Sequence, residues 1–171
     1  RYDVWVKEIG VTRFLNVDHE ARRLADRFDA SGRVGVAEMD GVAAGTIRLN
    51  MARDTDVSAD FRNTYRISEL ETHIGQKWAY SSRLVISADS RGGAVLQQLA
   101  DAHFELALRE EVECLVLNCT PALVHLYEKL GCRRYAAGFL DEEVGYRVPM
   151  LAPIRNAEFQ RIGRTLIWGL L

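Results

Sequence analysis

The pattern that most constrains this chain runs from Tyr80 to Gly131. Ser82-Arg83-Leu84-Val85-Ile86 is a short run rich in branched apolar residues, as a buried strand should be. Polar Ser87-Ala88-Asp89-Ser90 and the turn Arg91-Gly92-Gly93 follow it. Leu96, Leu99, Ala100, His103, Phe104, Ala107 and Leu108 then recur at helical spacing. Cys114-Leu115-Val116-Leu117 reads as a second buried strand. Thr120-Pro121 opens a further helix, with Thr at the N-cap and Pro in the first helical position, and Gly131 closes it. Two strands joined by a helix-length crossover should lie parallel. The glycine turn then sits at the carboxyl end of the first strand and offers backbone N–H groups at a helix N-terminus, with Arg91 adding positive charge. Such a corner can seat a phosphate. The same residues also suit an ordinary tight turn whose glycines serve only the backbone.

The rest of the chain fits one domain with a full core at 171 residues. A formal charge of −2, from 22 basic and 24 acidic side chains, gives no electrostatic footprint for nucleic acid. Cys114, Cys119 and Cys132 are odd in number and lie in or beside core elements, which points to reduced, buried thiols in a cytoplasmic protein. No apolar run reaches membrane-spanning length, and no signal peptide is visible.

The chain opens on Arg1, partway into a helical pattern of Tyr2, Trp5, Val6 and Ile9 that stops at Gly10, as a piece of a longer protein would. Asp18-His19-Glu20 opens a second amphipathic stretch, with Ala21, Leu24, Ala25 and Phe28 on its apolar face. Val34–Glu38 and Ala43–Leu49 flank Met39-Asp40-Gly41-Val42, a strong hairpin signal. Arg48 stands in that otherwise apolar strand and needs a partner if buried. Asn50 to Gln76 reads as a variable loop with one or two short helices, carrying the titratable Glu69, Glu71 and His73. Cys132–Tyr135 and Gly145–Met150 suit a final strand pair. Residues 154–171 end in an amphipathic pattern of Phe159, Ile162, Leu166, Ile167 and Leu170, suited to docking on the domain, pairing with another copy as a homodimer, or continuing into a missing region.

Strand, Arg-Gly-Gly turn, long helix, strand and the segment Leu123-Val124-His125-Leu126-Tyr127-Glu128-Lys129-Leu130-Gly131-Cys132 together resemble the core of the GCN5-related N-acyltransferase (GNAT) fold. That resemblance implies an α/β architecture, a central mixed sheet flanked by helices, over residues 1–150. The first strand would be missing, and 151–171 would form a C-terminal amphipathic segment. Arg1-Tyr2-Asp3-Val4-Trp5-Val6-Lys7-Glu8 resembles one branch in particular, the acyl-homoserine-lactone synthases and bacterial N-acyl amino acid synthases.

From the resemblance come the site expectations. Leu84, Val85 and Ile86 would pair with the pantetheine arm of the donor, and Arg91, Gly92, Gly93 and Ala94 would hold its phosphate. Tyr127 would protonate the departing thiolate, although it also suits a core aromatic on the Leu123, Val124 and Leu130 face. Arg83 matches the arginine of the branch's Glu-x-x-Arg element and joins the catalytic set, while Tyr80 stands where the glutamate is expected. Asp26 and Asp29, in Asp26-Arg27-Phe28-Asp29, would hold the amine-bearing substrate, or else form a solvated helix end. Arg48 would bind a substrate carboxylate, or else pair with Asp26, Asp29 or Glu38.

The implied reaction moves an acyl group from a phosphopantetheine thioester, on acyl carrier protein or coenzyme A, to the primary amine of an amino acid. No tightly bound cofactor and no metal is called for. The turn lacks the fuller glycine spacing of acetyl-CoA users, which suits the single phosphate of phosphopantetheine. An acetyl-CoA-dependent N-acetyltransferase and a silent acyl-thioester-binding domain share the fold.

Overall fold

The computed structural model describes residues 1–11, 17–91 and 93–156. The amphipathic pattern beyond residue 156, and Gly92, lie outside them.

A mixed sheet organises the chain. Its strands are β3 (Arg33–Met39), β4 (Val42–Met51), β5 (Trp78–Ile86), β6 (Cys114–Cys119), β7 (Arg133–Arg134), β8 (Phe139–Asp141) and β9 (Gly145–Ala152), and β1 (Val17–Asp18) pairs with β2 (Arg23–Leu24) in a separate hairpin. The spatial order is β3-β4-β5-β6-β9-β7, with β8 folded against β9. β5 and β6 run parallel, as the helical crossover between them requires, and the other pairs are antiparallel. The Asp40-Gly41 turn has positive φ at both residues (52° and 75°), the geometry that a two-residue hairpin needs.

Helix α3 (Ala94–Arg109) covers one face, burying Val95, Leu99, His103 and Ala107. Helix α4 (Val124–Lys129) lies on the same side, with Val124 in the cluster of Ala107, Leu115, Leu117, Cys119 and Met150. Short helices α1 (Ala59–Thr64) and α2 (Ile67–Ile74) cover the other face, where Phe61, Tyr65, Ile67, Trp78 and Val116 pack. Cys114, Cys119 and Cys132 are free and buried.

One segment departs from its sequence pattern. The amphipathic stretch from Asp18 to Phe28 is not a helix but the β1–β2 hairpin followed by a single 3-10 turn at Arg27–Asp29. Asp18 Oδ1 accepts from the amide of Ala21 at 2.8 Å, and Arg22 takes a left-handed φ of 49°, so the chain reverses where a helix would continue. At the start, Asp3–Glu8 forms a π-helical segment stopped before Gly10, whose φ is +74°.

Candidate active site

The sheet opens where its two parallel strands part. Pairing of β5 with β6 ends at Tyr80 and Val116, although β5 continues to Ile86 and β6 to Cys119. On its other edge β5 stays paired with β4 through a register shift near Arg83, whose φ of 56° turns the strand away from β6. A cavity of about 600 Å³ lies along this opening.

Strand alternation divides the cavity lining. On the helix side stand Leu96, Ala100, Phe104, Leu117, Cys119, Leu126, Tyr127, Leu130 and Cys132, an apolar wall. Tyr80, Asn118, Asp26, Arg48, Arg83 and Arg147 give the other side its polar character.

The polar side is built on an ion network. Arg48, 1% exposed, donates from Nη1 to Asp26 Oδ1 at 2.6 Å and to Asp29 Oδ1 at 2.8 Å. Arg83 donates from Nε and Nη2 to Asp26 Oδ2 at 2.9 and 2.5 Å, and Arg1 reaches Asp29 Oδ1 at 2.6 Å. Asp26 and Asp29 also cap each other's turn reciprocally, each side chain accepting a backbone N–H. Gly32 is required beside this network, because a Cβ there would stand 2.6 Å from Arg48 Cδ. Burial alone would raise the Asp26 carboxyl, but the bonds and charges of Arg48 and Arg83 outweigh it and hold it low. Asp29 is likewise held at about 2 against burial, by Arg1, the Asp26 amide and Arg48. Carboxylates this acidic are poor bases at neutral pH.

The residues that the resemblance assigns to the donor thioester do not share one surface. Leu84 and Gly93 line the cavity, and Val85 is buried in β5. Ile86 packs partly buried with Ala37, Val95 and Leu99. Gly93, with φ of 108°, starts α3 without a side-chain cap, and Ala94 is its first residue. Arg91 is exposed and paired with Glu8 at 2.6 Å, an ion pair of little strength. Tyr127 lines the apolar wall, and burial raises its pKa well above the ordinary 10, so its hydroxyl stays protonated. Asp29 contributes through Arg48 rather than at the wall. Glu69, Glu71 and His73 lie away from the lining, with Glu69 bound to Arg66, and Glu71 to Arg62 and the Trp78 indole.

Three polar groups lie outside the sequence expectations. Asn118 donates to the hydroxyls of Tyr65 (2.6 Å) and Tyr80 (3.2 Å), bridging the mouth of the opening. His103, 5% exposed on α3, bonds Ser81 of β5 at 2.8 Å. The third is Arg147 on β9. Their sequence signal was a polar residue inside an apolar periodic run. Burial pushes Cys132 up to about 12 and raises Cys119, so neither wall thiol is poised as a nucleophile. Among the described residues no group of His, Cys, Asp and Glu could hold a metal ion, and no helix is long and apolar enough to cross a membrane.

His103 makes a testable contribution to stability. Burial pushes it down to about 4, from 6.5 for the free side chain. Between these values the unfolded chain binds the proton and the folded one does not, so this stability is complete above pH 6.5 and is lost as pH falls toward 4. We expect urea-unfolding stability to decline over that window by roughly 3 kcal/mol, and His103→Gln to flatten the decline.

A mixed sheet with parallel strands parting beside a glycine-opened helix defines the GNAT class of acyltransferase fold. The N-acyl amino acid synthase FeeM family model matches residues 8–152. The chain therefore belongs to the FeeM family of N-acyl amino acid synthases and is an N-acyltransferase of GNAT type. Among solved structures it is similar to MesI, a CoA-dependent acyl-homoserine lactone synthase, at TM-score 0.72 and 17% identity, covering 98% of this chain and 84% of that one. FeeM, an N-acyl amino acid synthase from uncultured soil microbes, gives 0.64 at 15% identity, covering 91% and 94%. The acyl-homoserine-lactone synthase LasI gives 0.68 at 17% identity, covering 94% and 84%. A search of curated proteins finds no match.

Proposed function

We propose that this protein transfers a long acyl chain from a phosphopantetheine thioester, carried by acyl carrier protein or coenzyme A, to the amino group of an amino acid in the cytoplasm. The observation that carries this reading is the two-sided cavity. Its opening between β5 and β6 admits a thin flexible arm, its apolar wall suits an acyl chain, and its polar side suits a charged acceptor.

In this reading the pantetheine arm lies along Leu84, Val85 and Ile86, and its phosphate rests on the Arg91–Ala94 turn. The weak Arg91–Glu8 pair yields to the phosphate. The neutral amine attacks the thioester carbonyl carbon, the C–N bond forms, and the C–S bond breaks. Backbone N–H groups of β5 left without a β6 partner stabilise the oxyanion. Tyr127 gives its proton to the thiolate, the attacking nitrogen sheds a proton to solvent, and solvent restores the tyrosine hydroxyl. Asp26 and Asp29 orient the acceptor through Arg48 rather than deprotonate it, since both are held strongly acidic. Arg83 holds the parted strand in place. Orientation supplies most of the rate.

Mass spectrometry of a reaction containing lauroyl-pantetheine thioester and a mixture of amino acids tests the reading, with acetyl-CoA as a parallel donor. N-lauroyl amino acids together with free thiol are expected, and acetylation without lauroylation would redirect the assignment. Tyr127→Phe should fold normally and lower kcat about tenfold, less than usual for general acid catalysis because thiolates leave readily. Unaltered kcat removes Tyr127 from the mechanism.

A further inference from the structure

Arg147 is a buried cation of the cavity lining that stands outside the ion network, whereas Arg27, also on the lining, is exposed and bonds Ser58. It is 7% exposed, it lines the cavity, and its Nε is buried without a hydrogen-bond partner. Among the described residues it makes no ion pair, in contrast to Arg48 and Arg83, which share Asp26. Asp141 lies on the same lining, but its Oδ1 accepts from the amides of Glu143 and Val144 and so caps the turn into β9.

Register fixes where the guanidinium lies. Val148 faces Cys119 and Pro149 faces Asn118 across the β6–β9 ladder. Alternation puts Arg147 on the Asn118 side of the sheet, with the Tyr65 and Tyr80 hydroxyls, and away from the apolar wall. Burial outweighs the charge of Asp141 and lowers the Arg147 pKa, so a guanidinium with no ion-pair contact and an unbonded Nε destabilises the empty protein. Its planar fork matches a carboxylate in two parallel hydrogen bonds.

We propose that Arg147 binds the carboxylate of the acceptor and thereby makes the enzyme select α-amino acids over amines that lack the acid. The assignment rests on the amino-acid acylation reading above. With the carboxylate held on Arg147, the adjacent amino group is directed to the opening between β5 and β6, where the thioester carbonyl arrives.

The experiment compares L-leucine, L-phenylalanine and L-glutamine with the amines that lack only their carboxylates. Lauroyl-pantetheine is the donor, thiol release and amide mass are the readouts, and wild type is run beside Arg147→Gln. Wild type should favour the acids by about 100-fold or more in kcat/KM, as sites built to pair a polar group do. In Arg147→Gln that ratio should collapse toward one, mainly through KM for the acids. The ligand-free variant should melt no lower than wild type, because an unpaired buried charge has been removed. A preserved acid preference in the variant overturns the assignment and leaves the acyltransferase reading standing. A clear fall in melting temperature also overturns it, since the guanidinium would then hold the fold. If wild type acylates neither acids nor amines, the amino-acid reading itself fails and the assignment fails with it.

Discussion

Replacing Asp26 with alanine is expected to lower the unfolding free energy by about 3 kcal/mol, the cost of stranding a buried charge. Arg48 is 1% exposed and would keep Asp29 as its one carboxylate among the described residues, beside the Ser82 hydroxyl, and Arg83 would lose the carboxylate oxygen that both its nitrogens use. Urea unfolding measures the loss directly. Because the alanine strands Arg48, adding Arg48→Met should restore part of the stability, a coupling that a double-mutant cycle isolates. Strictly additive losses would mean that the network is not a unit. The same change should reduce turnover. Arg83 holds a positive φ that a β-strand residue adopts only under constraint, and its bonds to Asp26 supply that constraint. Released from Asp26, β5 can relax toward β6 and narrow the opening.

The second large effect concerns the apolar wall. Ala100 faces the cavity from α3, with Leu96, Phe104 and Leu117 among its neighbours on the lining. Ala100→Trp places an indole where the proposed acyl chain runs. Transfer from a twelve-carbon donor should fall by about 10²-fold or more, because the reacting carbonyl can no longer reach its position. Transfer from a short-chain donor should fall far less. Equal losses for both donors would place the acyl chain elsewhere.

Much of this architecture was legible in the residues because it rests on short-range rules. Asp40-Gly41 specifies its hairpin through positive φ, and the apolar runs around Val85 and Val116 mark the two parallel strands. The 18–28 segment was not legible. Its apolar spacing suits a helix, but the Asp18 side chain and left-handed Arg22 reverse the chain, and Leu24 is buried as a strand residue. Periodicity cannot weigh a side-chain-to-backbone bond against a helical one. For Arg48 the sequence left a choice between substrate and structural partners, and only three dimensions bring Asp26 and Asp29 to it. Arg147 was visible as a charge in the closing strand. That its buried Nε finds no hydrogen-bond partner depends on where β6, β8 and the 65–80 tyrosines come to lie.

The central claim is that the parted strands receive the thioester arm. The most direct measurement is a crystal structure with a non-hydrolysable amide analogue of lauroyl-pantetheine. The account predicts the pantetheine amides paired with β5 between Ser82 and Ile86, the phosphate at the Gly93 end of α3, and the acyl chain along Ala100 and Leu117. An analogue bound outside the opening, with β5 and β6 closed together beyond Tyr80 and Val116, would contradict it.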